Sequence, residues 1–103
     1  MKYHFELYPD ERGYWTLCRE LDGCCTEGDT LEEVYANCLE ALNGYLDEPE
    51  ASDRVDPLPD PRWEGKPNII AVPVEPDIAR RTLERLHRLG VLISVDERDV
   101  VLA

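Results

Sequence analysis

The residues with chemical potential in this chain are four cysteines, two histidines and a surplus of carboxylates. Cys18, Cys24, Cys25 and Cys38 follow the pattern C-x5-C-C-x12-C. That pattern contains no C-x-x-C pair, and neither His4 nor His87 lies beside it, so it lacks the ligand spacing of a standard zinc site. A hairpin placing Cys18 opposite Cys24 leaves a zinc site or a disulfide open. A chain without a secretion signal more often keeps its cysteines reduced and buries them as small apolar residues. The expectation is therefore four reduced, structural cysteines, with no metal and no cofactor.

The carboxylates do not mark an active site. Asp22, Glu27, Asp29 and Glu32 stand where turn and capping chemistry already accounts for them. Thr16, Thr26 and Thr30 have no nearby histidine to act as base, and Cys24 has no basic neighbour to hold a thiolate. No catalytic residue is assigned, and the chain is predicted not to be an enzyme. Arg80, Arg81, Arg85 and Arg88 make a possible phosphate-tracking face. Glu84 interrupts that face and Asp96, Glu97 and Asp99 follow it. Salt bridges to acids in the N-terminal half explain the arginines more simply, so nucleic acid is not an expected partner.

Charge separates the two halves. The formal net charge is −12. Residues 1–60 carry four basic residues against sixteen acids, whereas residues 61–103 carry seven of each. An acidic half repels nucleic acid and suits a basic protein partner, although a solubilising surface would account for the same charge. At 103 residues and 43% hydrophobic content, the chain suffices for one small domain with a real core. No apolar run approaches the ~20 residues of a membrane span, and MKYHFELY lacks the features of a signal peptide. A soluble cytoplasmic protein with no membrane partner is the default expectation.

These residues are positioned by a legible series of elements. Lys2 to Tyr8 alternates, with Tyr3, Phe5 and Leu7 on one side, as in a half-buried strand. Pro9 to Gly13 is a turn, Tyr14 to Cys18 a second strand, Arg19 to Gly23 a tight connection, and Cys24 to Glu27 a third strand. Thr30 caps a helix running from about Leu31 to Leu46, with Glu33 completing a capping box. Its apolar stripe reads Leu31, Val34, Tyr35, Cys38, Leu42, Tyr45 and Leu46. Tyr14 and Trp15 point to opposite faces, so both faces of the sheet call for cover. Residues 47–68 hold five prolines and form an acidic linker or a surface excursion, with Trp63 docked locally. Ile69 to Val74 is a candidate fourth strand, placed at an edge by Pro73. A second helix begins near Pro76, carries Ile78, Thr82, Leu83, Leu86 and Leu89 as its stripe, and stops at Gly90. Val91–Val95 and Val100–Leu102 read as a closing β-hairpin. The fold class is α+β: a three- to four-stranded antiparallel sheet with a helix across one face (β-β-β-α-β), plus a C-terminal helix and β-hairpin. The units are 1–46, 47–68 and 69–103.

Several short stretches occur in an order that resembles the HicB-like antitoxin family. They are Tyr3-His4-Phe5, Gly13-Tyr14-Trp15, Glu20-Leu21-x-Gly23-Cys24 and Glu27-Gly28-Asp29-Thr30-Leu31-Glu32-Glu33, followed by Ala41-Leu42 and Tyr45-Leu46. Gly13, Tyr14, Trp15, Leu21, Gly23, Cys24, Gly28, Asp29, Thr30 and Glu33 carry the resemblance as structural positions. The resemblance implies a truncated RNase H-like fold used for binding, without the nuclease's metal site. It also implies homo-oligomers and, in many members, a small basic RNA-cleaving toxin of the HicA type as partner. Many HicB-like antitoxins append a helix-turn-helix or ribbon-helix-helix. Here Gly90 is followed by an expected hairpin, so neither fits. The expected role is an antitoxin that binds and masks such a toxin. The alternative is a stand-alone oligomeric domain with no cognate toxin and no DNA binding. His4, Glu6, Trp15, Leu17 and Cys25, at outward positions of the strands, are the candidate partner-binding residues.

Overall fold

The alternation at the N-terminus folds as a strand with opposite duties on its two faces. The computed structural model describes residues 1–48 and 53–92. Its elements are β1 (Lys2–Pro9), β2 (Tyr14–Cys18), β3 (Cys25–Gly28), α1 (Leu31–Leu46), β4 (Ile69–Pro73) and α2 (Pro76–Arg88). The strands form one four-stranded sheet in the order β3-β2-β1-β4, with every neighbouring pair antiparallel. The architecture is α+β, as the sequence pattern predicts. β4 lies at an edge, where Pro73 removes a backbone donor at no cost to an inner ladder. The expected closing hairpin falls outside the described residues apart from Val91 and Leu92.

The inner face of the sheet carries the core. Tyr3 and Phe5 of β1, Cys18 of β2 and Val72 of β4 pack against Val34, Cys38, Leu42 and Leu46 of α1. Thr30 caps α1, its Oγ1 accepting the Glu33 amide at 3.1 Å, so the threonine half of the predicted capping box is formed. Leu31 and Tyr35 do not belong to the buried stripe, being 55% and 39% exposed. Leu31 stands in the first turn of α1, and Tyr35 sits beside the Val34–Cys38–Leu42 line. A Cβ on Gly13 would lie 2.4 Å from the Gly28 carbonyl oxygen, so the β1–β2 turn and the end of β3 touch only because Gly13 lacks a side chain.

The third strand begins one residue later than the sequence pattern suggests. Cys24 donates its amide to the Leu21 carbonyl at 3.3 Å, closing the turn that Gly23 enters with a φ of 81°. Its carbonyl still accepts the Cys18 amide at 2.8 Å, so Cys24 faces Cys18 one step beyond the regular ladder.

Residues 53–68 form a strap rather than a free tether. The Tyr3 hydroxyl donates to the Pro57 carbonyl at 2.8 Å. Further along, Asp60 donates its amide to Glu20 Oε2 at 2.9 Å. Leu7 then donates to the Asn68 carbonyl at 2.7 Å as the strap leads into β4. A short 3-10 turn, Pro61–Trp63, carries Trp63. As expected, Trp63 docks locally: Arg19 and Lys66 lie 4.7 and 4.8 Å from its ring centroid.

The arginines of α2 pair with acids. Arg81 reaches Asp47 at 2.8 Å and Arg80 lies 3.6 Å from Glu84. Arg85 is different, because it is buried within the apolar side of the helix. Its Nη2 lies 2.7 Å from the equally buried Asp56, which also holds Arg54 Nε. Leu89, placed in the stripe by its spacing, is 36% exposed instead, beyond the last turn that packs on the strap. Replacing Asp56 by Ala leaves the buried Arg85 charge uncompensated and should destabilise the chain by about 3–5 kcal/mol. Asp47→Ala removes only an exposed pair and should cost about 0–1 kcal/mol. Urea denaturation of the two variants measures the contrast.

Candidate partner-binding face

The outer face of the sheet is assembled by strand register. Glu6 pairs with Leu17 and with Ile69, and Leu17 pairs with Cys25. Tyr8 pairs with Trp15, and Trp15 with Glu27. Directly opposed residues share a face, so Glu6, Trp15, Leu17 and Cys25 form one surface, as their alternation implies. No helix among the described residues packs on the Trp15 end. Trp15 is 41% exposed and stacks on Tyr8 with centroids 4.2 Å apart and planes 15° from parallel. The expectation of cover on both faces is thus met at one end of the outer face and not at the other.

His4 belongs to the same face but is not presented by it. It is 3% exposed, paired in register with Ala71, and its Nδ1 lies 2.6 Å from Glu20 Oε2. A carboxylate can only accept, so Nδ1 donates. Glu20 also accepts the His4 amide at 3.0 Å and the Asp60 amide at 2.9 Å. His4 is therefore a fastening for the strap, which corrects its reading as an outward residue. The neighbouring Asp60 is held well below the ordinary carboxylate range, at about 2, chiefly by its hydrogen bonds from Arg62. A depressed folded-state pKa stabilises the fold fully above the ordinary value and is lost as the pH falls through about 2. An NMR titration of Asp60 should accordingly show a midpoint near 2.

Between the β1–β2 turn, the end of β3 and the start of α1, on the helix side of the sheet, the charge is mostly negative. Asp10, Glu11, Glu27, Asp29 and Glu33 border an open cleft of about 760 Å3 in which Arg12 is the one basic residue. Asp10 is partly occupied, accepting the amides of Arg12 and Gly13. Glu6 sits 3.5 Å from Arg19, and burial together with Glu6 pushes the Tyr8 phenol up. Among the described residues no group of three or more histidines, cysteines or acids is arranged to hold a metal ion, and no helix is long and apolar enough to cross a membrane.

The remaining motif residues are scaffold positions. Gly28 approaches Val34 closely enough that a Cβ would lie 2.9 Å from its Cγ2. Leu21 and Cys24 are buried, and Tyr14 is half-buried against the core. Asp29 and Glu33 border the cleft. The α1 helix is tied to the strands by Asn37, whose side chain donates to the Glu27 carbonyl, and by the Tyr45 hydroxyl, which donates to the Asp22 carbonyl. Sequence reasoning missed Tyr8 and Glu20. The first had a signal, since it continues the His4–Glu6 alternation. Glu20 stands in the Glu20-Leu21-x-Gly23-Cys24 stretch, but its role as a fastening is not readable there, because its partners lie on β1 and on a segment forty residues away.

Trp15→Ala removes an exposed, stacked ring and should cost about 0.5–1.5 kcal/mol. Phe5→Ala empties the core and should cost about 3–5 kcal/mol. Chemical denaturation of both variants checks that the outer face can be altered without losing the fold.

No protein-family model matches the chain. Over 66 residues it is 32% identical to a UPF0150 protein of Helicobacter pylori strain J99, a match covering 64% of this chain and 82% of that protein. At that identity and coverage, the chain belongs to the UPF0150 family.

Proposed function

We propose that this chain is a HicB-like antitoxin: a non-catalytic cytoplasmic protein that binds a small basic HicA-type toxin and masks its mRNA-cleaving surface. The observation that carries the reading is the outer sheet face, where an exposed tryptophan is stacked on Tyr8 and paired in register with Glu27, on a chain of net charge −12. Exposed aromatic anchors dominate protein interfaces, and acidic surroundings speed and orient encounter with a basic partner. The UPF0150 relationship and the order of motifs from Tyr3 to Leu46 support the same reading. The second reading is a stand-alone homo-oligomer without toxin or DNA binding, favoured by the same exposed Trp15, which a second copy would cover equally well.

The test looks beside this gene for one encoding a basic HicA-type protein of roughly 60–90 residues, a size typical of one small domain, whose absence would favour the second reading, and uses its product with the full chain. Titration calorimetry should show a complex whose affinity falls with added salt, and the complex should suppress mRNA cleavage by the toxin. Trp15→Ala should weaken binding at least about tenfold, the cost of one interface anchor. Cleavage that continues unchanged at saturating antitoxin would refute the proposal. A chain that self-associates in light scattering and ignores the toxin would favour the second reading.

A further inference from the structure

The cysteine pair at the turn end of the β2–β3 hairpin is not used by the partner-binding reading, and it has the geometry of a redox site. Cys18 donates its amide to the Cys24 carbonyl at 2.8 Å, one step beyond the Leu17–Cys25 pair. Opposed residues of antiparallel strands have Cα atoms about 4.5–5.5 Å apart, inside the roughly 4.4–6.8 Å that a disulfide spans. Both side chains are buried in the core on the inner face. The other two cysteines are placed elsewhere. Cys25 is exposed on the outer face, and Cys38 lies on α1, its sulfur 3.5 Å from the Thr16 hydroxyl.

We propose that Cys18 and Cys24 are a reversible oxidation site, closing to an intrachain disulfide with peroxide as oxidant and reopening with small thiols. Cys18 is the nucleophile: the hydrogen bond from Cys24, with backbone donors at Leu21 and Glu20, lowers its thiol from the ordinary value. Cys24 is pushed the other way by the same hydrogen bond and by burial, and is the resolving thiol. The Cys18 thiolate attacks one peroxide oxygen, the O–O bond breaks, and the leaving hydroxide takes a proton to become water. The resulting sulfenic acid is attacked by the Cys24 sulfur, forming the S–S bond as the S–O bond breaks. The hydroxyl leaves with the Cys24 proton as a second water. Two thiols and one peroxide thus give one disulfide and two waters. Both thiols are buried, and Cys24 directly follows the exposed Asp22-Gly23 turn.

Closure has a defined consequence. Cys18 Sγ contacts Glu20 Oε1 at 3.7 Å as a donor, and Glu20 fastens both His4 and the strap. Oxidation removes that donor and covalently joins the two strands bearing Leu17 and Cys25. The proposal is independent of the antitoxin reading.

The experiment treats the full chain with hydrogen peroxide, alkylates remaining thiols and digests with trypsin. Cleavage after Arg19 separates the peptide carrying Cys18 from the one carrying Cys24, Cys25 and Cys38. The expected product is these two peptides joined and two hydrogens lighter than their sum, from a chain that stays monomeric on a non-reducing gel. The product should persist in Cys25→Ser and Cys38→Ser, vanish with dithiothreitol, and fragment with the link at Cys24. Fragmentation assigns the partner even where Cys24→Ser does not fold. Four alkylated cysteines after treatment, a link at Cys25 or Cys38, or a link between chains would overturn the proposal.

Discussion

One buried carboxylate gathers β1, the β2–β3 connection and the proline-rich strap at a single point. The Glu20 side chain is 2% exposed and accepts hydrogen bonds from the His4 amide, the His4 ring and the Asp60 amide, with the Cys18 thiol adding a weaker contact. A buried carboxylate without donors is costly, so each of these groups is obligatory once the carboxylate is inside. The arrangement fixes the β2–β3 connection against β1 and draws the proline-rich strap across the end of the sheet. A second buried charge, Asp56 between Arg54 and Arg85, clamps the same strap to α2. The strap is thus pinned by charge at two points, in a segment whose prolines leave few backbone donors for a ladder.

This pinning decides which parts of the sheet remain free. α1 takes the inner face, and the strap's tie at Glu20 seals the His4 end of the outer face. At the other end, Trp15 and Tyr8 are left stacked on each other, with Leu17, Cys25 and Glu6 beside them. A sheet with one face packed and one partly open is ordinary for antiparallel strands. An exposed tryptophan already held in a single stacked geometry is less ordinary, because the entropy of ordering the ring has been met before any partner arrives.

Most of this fold was legible in the sequence because local signals agree with one another. The period-two pattern of Tyr3, Phe5 and Leu7, the Thr30 cap, the glycines at turns and the Pro76 helix start each specify an element within a residue or two. The shared outer face of Glu6, Trp15, Leu17 and Cys25 was readable for the same reason, since alternation assigns faces without knowledge of the sheet. What was not legible depends on contacts distant in sequence. His4 looked outward until Glu20 and the strap covered it. Arg85 looked like a surface charge, although it falls in line with Ile78 and Thr82, and only Asp56 makes its burial tolerable. Leu31 and Leu89 matched the helical stripes but stand at helix ends, where periodicity continues after the packing surface has stopped.

On the proposed function, a basic partner docks at the open end of the outer face. The most direct measurement labels the chain with 5-fluorotryptophan, so that Trp15 and Trp63 report separately by 19F NMR, and adds the HicA-type toxin. Docking there should shift the Trp15 resonance on complex formation and return it at high salt, while Trp63, held by Arg19 and Lys66, stays in place. A complex that leaves the Trp15 resonance unmoved would contradict it.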